Sequence, residues 1–265
     1  MTSRPSGGPQ PGLHPLCWAA GAGGTGVGFT SRRAGAGAST GPYASLNLGG
    51  AVGDDATAVT RNRALVAEAV GVAPDRLLFA EQVHGTDVVV ADGPWAGAAP
   101  RADAVVTRTP GLALGVLVAD CVPVVLSDPA EGVVGVAHAG RRGLAAGVVP
   151  AVLAALRDLG ARRVEAHVGP SVCARCYEVP PAMRDEVAAV VPVSASVTRT
   201  GTASLDLAAG VAAQLVDGGA TVEVHPGCTA ERDDLYSYRR DGVTGRFAGL
   251  AWLDGQTATA AGPRA

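Results

Sequence analysis

The longest apolar run in the chain, from Gly111 to Leu126, is broken by a single carboxylate, Asp120. It is Val- and Leu-rich, and it falls short of the roughly 20 consecutive apolar residues that a membrane-spanning helix needs. It reads as two buried strands on either side of a bend at Asp120-Cys121. Further strand-length runs with turn residues between them lie at Val27–Thr30, Arg76–Ala80, Asp87–Val90, Ala104–Thr107, Val133–Ala137 and Val164–Val168. Val222–His225 and Gly245–Trp252 read as closing strands. Helical spacing marks Asp55–Val70, with Asp54 or Asp55 as the N-cap and Gly71 as the stop. It also marks Gly143–Leu159, where Pro150 predicts a kink or a late start, and Pro180–Val191 and Leu205–Val216. Two or three strands often follow one another without a helix between. That order predicts an α/β protein with mixed sheets and helices outside, rather than a doubly wound parallel sheet.

The chain has 265 residues, which suits one large domain or two small ones. No repeat and no internal linker divides it. The sequence predicts a flexible Pro/Gly-rich lead-in over 1–25, one domain over 26–256 and a tail over 257–265. Gly21-Ala-Gly23-Gly-Thr-Gly26 matches the dinucleotide fingerprint only formally, because a strand rather than a helix follows it. The formal charge of −3 offers no basic field for nucleic acid. All 21 basic residues are Arg, so a Schiff-base lysine and a P-loop are both excluded. Isoleucine is absent as well, leaving Val, Leu and Ala to fill the core. No secretory signal and no membrane span is visible. Five cysteines without an export signal read as reduced thiols or metal ligands, which places the protein in the cytoplasm.

Three residues of metal-binding type stand at strand ends beside small residues: His84 in Gln82-Val83-His84-Gly85, Cys121 in Ala119-Asp120-Cys121, and His138 in Ala137-His138-Ala139-Gly140. One Cys and two His suit zinc with an open fourth position, the catalytic arrangement. The same residues also fit hydrogen-bonded histidines and a buried thiol acting as a small hydrophobe, and spacing alone leaves both readings open. Cys173-Ala-Arg-Cys176 resembles a redox pair without the βαβ context, or half a zinc site that lacks a second Cys pair, Cys228 being the only late cysteine. His167 reads as structural and His225 as a strand cap. Arg32-Arg33, Arg141-Arg142 and Arg239-Arg240 with Arg246 flank Gly-rich turns, where Arg binds phosphate or carboxylate or simply faces solvent. Gly35–Gly41 offers backbone N–H groups to an anion or is a plain loop. No nucleophile-elbow serine, zincin or zinc-deaminase pattern occurs.

Eight motifs occur in order: Gly41-Pro-Tyr-Ala-Ser-Leu-Asn47-Leu-Gly49, Val52-Gly-Asp-Asp55, Gln82-Val-His84-Gly85, Ala119-Asp120-Cys121-Val-Pro123, His138-Ala-Gly140, Gly169-Pro-Ser171, Cys176-Tyr-Glu-Val179, and Tyr238-Arg239-Arg240-Asp-Gly242 continuing to Thr244-Gly-Arg246. From about Phe29 to Trp252 the chain resembles the YfiH-like family, once labelled laccase-domain or polyphenol oxidase proteins and now regarded as purine nucleoside phosphorylases. The resemblance implies an α-β-β-α layered fold and one zinc ion per chain held by His84, Cys121 and His138. It also implies phosphorolysis of adenosine, inosine and methylthioadenosine, with adenosine deamination as a further activity. The partners are then purine nucleosides and phosphate. Arg32 and Arg142 are the candidates to clamp phosphate, Asn47 to hydrogen-bond a base edge or ribose hydroxyl, and Asp120 to act as base or to orient a ligand. Two positions depart from the family: Arg141 stands where it usually has Trp, and Cys173 where it often has Gly. Three rival readings are a hydrolase editing cell-wall precursors through Cys121, a copper-dependent phenol oxidase for which five histidines are few, and a non-enzymatic binding module.

Overall fold

The run from Gly111 to Leu126 divides at Asp120, and its two halves enter different sheets. A computed structural model describes residues 15–33 and 37–255. Its strands are β1 (Leu16–Ala22), β2 (Thr25–Thr30), β3 (Leu77–Phe79), β4 (Val88–Val90), β5 (Ala104–Thr107), β6 (Ala113–Val118), β7 (Val122–Asp128), β8 (Val133–Ala139), β9 (Glu165–Val168), β10 (Ala195–Val197), β11 (Ala203–Leu205), β12 (Thr221–Val224) and β13 (Phe247–Leu253). Its α-helices are α1 (Ala56–Ala69), α2 (Arg141–Ala146), α3 (Val148–Asp158), α4 (Pro181–Val190), α5 (Leu207–Asp217) and α6 (Tyr238–Asp241). β6 belongs to a five-stranded sheet ordered β1-β2-β13-β6-β3, and β7 to a six-stranded sheet ordered β12-β9-β7-β8-β5-β4. Asp120 turns the chain from one to the other with φ at 101°, a conformation that strains a non-glycine residue.

Alternation along the strands builds the layers. Leu114 and Val116 of β6, Ala251 and Leu253 of β13, Val125 of β7 and Val134 and Val136 of β8 pack together between the two sheets. The opposite neighbours on β7, Val122, Val124 and Leu126, face α3, α4 and α5 through Val152, Leu156, Val187 and Val211. Ala113, Ala248 and Leu250 turn outward from the five-stranded sheet onto Val66 and Ala67 of α1. The order is therefore helix, sheet, sheet, helices, the mixed α/β layering expected. Both sheets combine parallel and antiparallel pairs, with β3 parallel to β6 and β5 antiparallel to β8.

Several elements differ from the sequence expectation. Leu16–Ala22, assigned to the loose lead-in, forms edge strand β1 antiparallel to β2. Its small residues carry no alternating pattern, and only Leu16 is buried. The glycines after it make a two-residue hairpin, with Gly23 and Gly24 both at positive φ (58° and 80°). The helix expected over Gly143–Leu159 is two helices, because Gly147 takes a left-handed conformation at φ 96°. Pro150 then falls in the first turn of α3, the late start that its ring permits. Leu205 ends β11 instead of starting α5, and the short α6 has no counterpart in the sequence pattern. Asp55 is the N-cap of α1, accepting from the Thr57 and Ala58 N–H groups at 2.6 and 3.0 Å. Residues 1–14, 34–36 and 256–265 lie outside the described residues. The tail and part of the Gly35–Gly41 loop fall among them. No helix among the described residues is long and apolar enough to cross a membrane.

Asp128, at the end of β7, ties that strand to the approach to β9. One carboxylate oxygen accepts from the Arg162 and Arg163 N–H groups at 2.6 and 2.7 Å. The other accepts from Ala130 and Glu131 at 3.2 and 3.3 Å. Burial opposes its charge, but these N–H groups outweigh burial and hold the carboxyl below its usual range. Asp128→Ala removes the shared acceptor of four backbone N–H groups and is expected to cost about 1–3 kcal/mol in urea unfolding at pH 7. The carboxylate's stabilisation is present above the unfolded-state value of about 3.9 and is lost as pH falls through the lower native value. The gap between wild type and variant should therefore close in acid.

Candidate metal centre

The His84, Cys121 and His138 side chains come from the β3–β4 connection, the β6–β7 turn and the end of strand β8, and meet at one point. Their donor atoms lie within 4.8 Å of one another. His84 Nε2 is 3.8 Å from Cys121 Sγ. The two imidazoles stand edge to face, with centroids 4.7 Å apart. Exposure grades across the group: His84 is exposed, Cys121 is half-buried and His138 is buried.

Asp103, just before β5, arranges the two histidines. Its carboxylate accepts three successive N–H groups, from Val83 at 3.1 Å, His84 at 2.9 Å and Gly85 at 2.6 Å. This wraps the 83–85 loop around the carboxylate and holds His84 at φ 59°. The same carboxylate meets His138 Nδ1 at 2.8 Å, while the His138 N–H donates to the Asp103 carbonyl at 2.7 Å. With Nδ1 engaged, Nε2 of His138 is left for a metal. Burial works against the Asp103 charge, but the His138 ring and the loop N–H groups prevail and hold the carboxyl below its usual range.

Cys121 is activated by the same neighbours. Burial pushes its thiol up, but the charge and hydrogen bond of His138, followed by those of His84, bring it down to about 6. Burial pushes His138 down, and the Cys121 thiolate together with Asp103 raises it to about 9. Each charged form thus favours the other, thiolate and imidazolium, and a metal bound at His138 Nε2 would take the place of a proton there. Gly140 leaves the space: a Cβ there would lie 2.7 Å from His84 Cδ2 and 3.1 Å from Cys121 Sγ. One thiolate and two imidazoles fit zinc, and three protein ligands leave one tetrahedral position open. The spacing of 3.8 Å between His84 and Cys121 is close to the edge of about 3.6 Å that tetrahedral Zn–N and Zn–S bonds produce.

The other predicted site residues have partners or positions of their own. Asp120 adjoins Cys121, but its carboxylate accepts from Thr229 Oγ1, Ser237 Oγ and the Arg239 N–H, each at 2.6 Å. It joins the late loops to the β6–β7 turn, and the carboxylate orienting a metal ligand is Asp103. Asn47 is fully buried, and its amide is saturated. It donates to Gly49 O at 3.1 Å and Asp54 at 2.8 Å, and accepts from the Gly49 and Arg246 N–H groups at 2.9 and 2.8 Å. No hydrogen-bonding capacity remains for a base or ribose. Arg32 donates through Nε to Ala44 O at 2.6 Å and lies over the Tyr236 ring at 5.2 Å. Arg142 is exposed on the first turn of α2.

Tyr177, with no role assigned from sequence, and three arginines of the clusters noted there lie near Cys121. Tyr177 feels the charges of Cys121 and Arg141, and the Arg239 guanidinium stands over its ring, 5.1 Å from the ring centre. The half-buried Arg246 also feels the charge of Cys121. A cleft of about 690 Å³, lined in part by Val179, Pro181, Arg184 and Thr202, opens alongside. None of the three metal donors lines it, and Arg239 is the residue that joins cleft and centre. Tyr177, Arg239 and Arg246 sit inside the quoted motifs, so their proximity to the site was available as a signal. Asp103 had only its place before a buried strand.

Fold and site together define a layered α/β protein with an open centre of two histidines and one cysteine. Residues 26–254 match the family described as multi-copper polyphenol oxidoreductase laccase. The chain is 56% identical over 231 residues to a Streptomyces coelicolor protein named purine nucleoside phosphorylase SCO2081, covering 86% of this chain and 95% of that protein. It is 37% identical over 222 residues to the Escherichia coli protein named purine nucleoside phosphorylase YfiH, covering 82% and 90%. The crystal structure of Neisseria meningitidis protein NMB0706 is similar at TM-score 0.80 and 37% identity, covering 90% of this chain and 99% of that one. The chain belongs to this laccase-like, YfiH-related family.

Asp103→Ala is expected to lower zinc affinity by about 10–100-fold, read by competition with a chromophoric chelator, because His138 and the His84 loop lose their common acceptor. Gly140 sits at φ −78°, which suits alanine, so Gly140→Ala should fold while its methyl group displaces His84 and Cys121. Its circular dichroism should match wild type, and its zinc affinity should fall; wild-type affinity would contradict the packing described.

Proposed function

We propose that a single domain over 26–256 is a zinc-dependent purine nucleoside phosphorylase acting on adenosine, inosine and methylthioadenosine, with adenosine deamination at the same centre, in the cytoplasm. The observation that carries this reading is the open donor set of His84, Cys121 and His138 beside Arg141, Arg239 and Arg246. The relatives named purine nucleoside phosphorylase support it.

Zinc held there supplies Lewis acidity, which polarises an electron-rich group and eases ionisation of water. The protein supplies position and charge. Phosphorolysis needs phosphate held in line with C1′ and compensation for charge on the departing purine. The arginine side chains beside the donors present planar forks for phosphate oxygens. Arg142, exposed next to Arg141, guides phosphate inward, and Arg32 braces the Tyr43–Ser45 turn through Ala44. Arg141 stands in place of the family's usual Trp and offers a guanidinium face on which a purine stacks. Asn47 acts through Arg246, whose backbone N–H it fixes at 2.8 Å.

The family description favours copper-dependent phenol oxidation as a second reading. Multi-copper centres use several imidazoles in each group. Among the described residues the histidines divide into His84 with His138 and His167 with His225, each pair in its own cluster. Hydrolysis through a Cys121 nucleophile is the remaining alternative, since its thiol is already lowered to about 6.

Chromatography of products from adenosine and zinc-loaded protein tests the proposal. Adenine should form only when phosphate is present, and inosine should form with or without it. His138→Ala should reduce both by about 10²-fold or more, reflecting several kcal/mol of lost charge stabilisation. Neither product from zinc-bearing protein, or phenol oxidation appearing only after growth with copper, would refute it.

A further inference from the structure

A second group of metal-binding side chains lies away from the three donors. Cys173 and Cys176 sit in the connection after β9, and Cys228 and Glu231 in the connection after β12. All four donor atoms lie within 4.8 Å of one another. The sequence suggests half a zinc site without a second pair. The fold supplies that pair as Cys228-Thr-Ala-Glu231, with a carboxylate in the place of a fourth cysteine.

Both halves have the same architecture. In the first, the Cys176 and Tyr177 N–H groups donate to the Cys173 carbonyl at 2.9 and 3.0 Å. In the second, the Glu231 and Arg232 N–H groups donate to the Cys228 carbonyl at 3.0 and 3.1 Å. Each turn therefore brings residues three apart to one side, the spacing that closed zinc sites use. The turns are joined by a parallel bridge between Ser171 and Cys228. The Cys173 N–H donates to Cys228 Sγ at 3.3 Å, a contact that stabilises a thiolate. Cys176 Sγ lies 3.3 Å from Glu231 Oε1.

We propose that Cys173, Cys176, Cys228 and Glu231 form a second, closed zinc site with a structural role. Three thiolates and a carboxylate carry more negative charge than one zinc ion neutralises. Arg199 pairs with Glu231 and Arg175 approaches it to 3.9 Å, which offsets the excess. Zinc binding forms three Zn–S bonds and one Zn–O bond and releases the thiol protons to solvent. Four protein ligands leave no open position, so the ion does no chemistry and fastens the two connections together. The consequence reaches the first centre, because Tyr177 follows Cys176 and Thr229 follows Cys228. Tyr177 lies near Cys121, and Thr229 holds Asp120 at 2.6 Å.

The test is zinc content of full-length protein, prepared with zinc under reducing conditions and measured by plasma mass spectrometry. Wild type is expected to hold two zinc ions per chain. His138→Ala and Cys173→Ser should each hold one, and the double variant none. The cobalt-substituted His138→Ala protein should show thiolate-to-cobalt charge-transfer absorption. In zinc-replete wild type, N-ethylmaleimide should modify Cys173 and Cys228 only after a chelator strips the metal, as mapped by peptide mass spectrometry. That measurement decides the matter even if a variant fails to fold. A folded His138→Ala protein with no zinc, free alkylation in zinc-replete protein, or a disulfide among these cysteines in place of metal would overturn the proposal. Because each variant removes ligands from one centre alone, zinc loss at one is read separately from zinc loss at the other.

Discussion

The Asp103 carboxylate is the contact on which the centre depends. It is buried, and its two oxygens receive three N–H groups of one loop and the imidazole of another strand. A charge taken out of water must be met by donors. Here the donors belong to the two segments that carry His84 and His138. Satisfying the carboxylate and assembling the site are thus one event. The unusual His84 backbone, at φ 59°, persists because its N–H is one of these donors. Since Asp103 immediately precedes β5, a strand paired on both sides within the six-stranded sheet, the precision of the sheet passes directly to the ligands.

Asp120 and Asn47 follow the same logic at the rim. Each is a polar side chain within or beside apolar surroundings, and each is engaged by loop groups, Asn47 to its full hydrogen-bonding capacity and Asp120 through three donors. Asp120 gathers Thr229, Ser237 and Arg239 around the turn that precedes Cys121. Asn47 gathers Gly49, Asp54 and Arg246. Their place in strongly patterned motifs is explained by this framing work. Buried polar groups are nearly always paired, and in the low-dielectric interior their hydrogen bonds specify one loop arrangement.

The layered sheets were legible because β6, β7, β8 and β13 are runs of apolar and small residues of strand length, which is what strands buried on both faces require. β1 was not, since Leu-Cys-Trp-Ala-Ala-Gly-Ala has too few large side chains to show a period. The break at Gly147 was hidden because the apolar spacing of α2 continues into α3, and only the left-handed backbone separates them. His84, Cys121 and His138 were found through their motifs, and the structure brings them together. Asp103 was invisible because its role is to accept backbone N–H groups from a loop about twenty residues earlier, which no local pattern encodes. Glu231 was missed for a chemical reason: a search for paired cysteines passes over a carboxylate at the fourth corner.

Electrostatics unites these elements. A thiol lowered by its neighbours, a buried carboxylate and two imidazoles meet near one point, a donor set that fits a cation, while Arg141, Arg239 and Arg246 lie beside it. A chain with no lysine has only guanidinium groups for such positions, apart from histidine. Guanidinium stays protonated through the whole working range of pH, even where burial lowers its affinity for the proton, as it does for Arg246. The donor cluster and the arginines beside it therefore differ in kind: Cys121 and Asp103 raise the His138 imidazole against burial, whereas a guanidinium is a fixed charge. His138, Gly140 and Arg141 are a few residues apart in the chain, so one short segment joins the donor cluster to the arginines beside it.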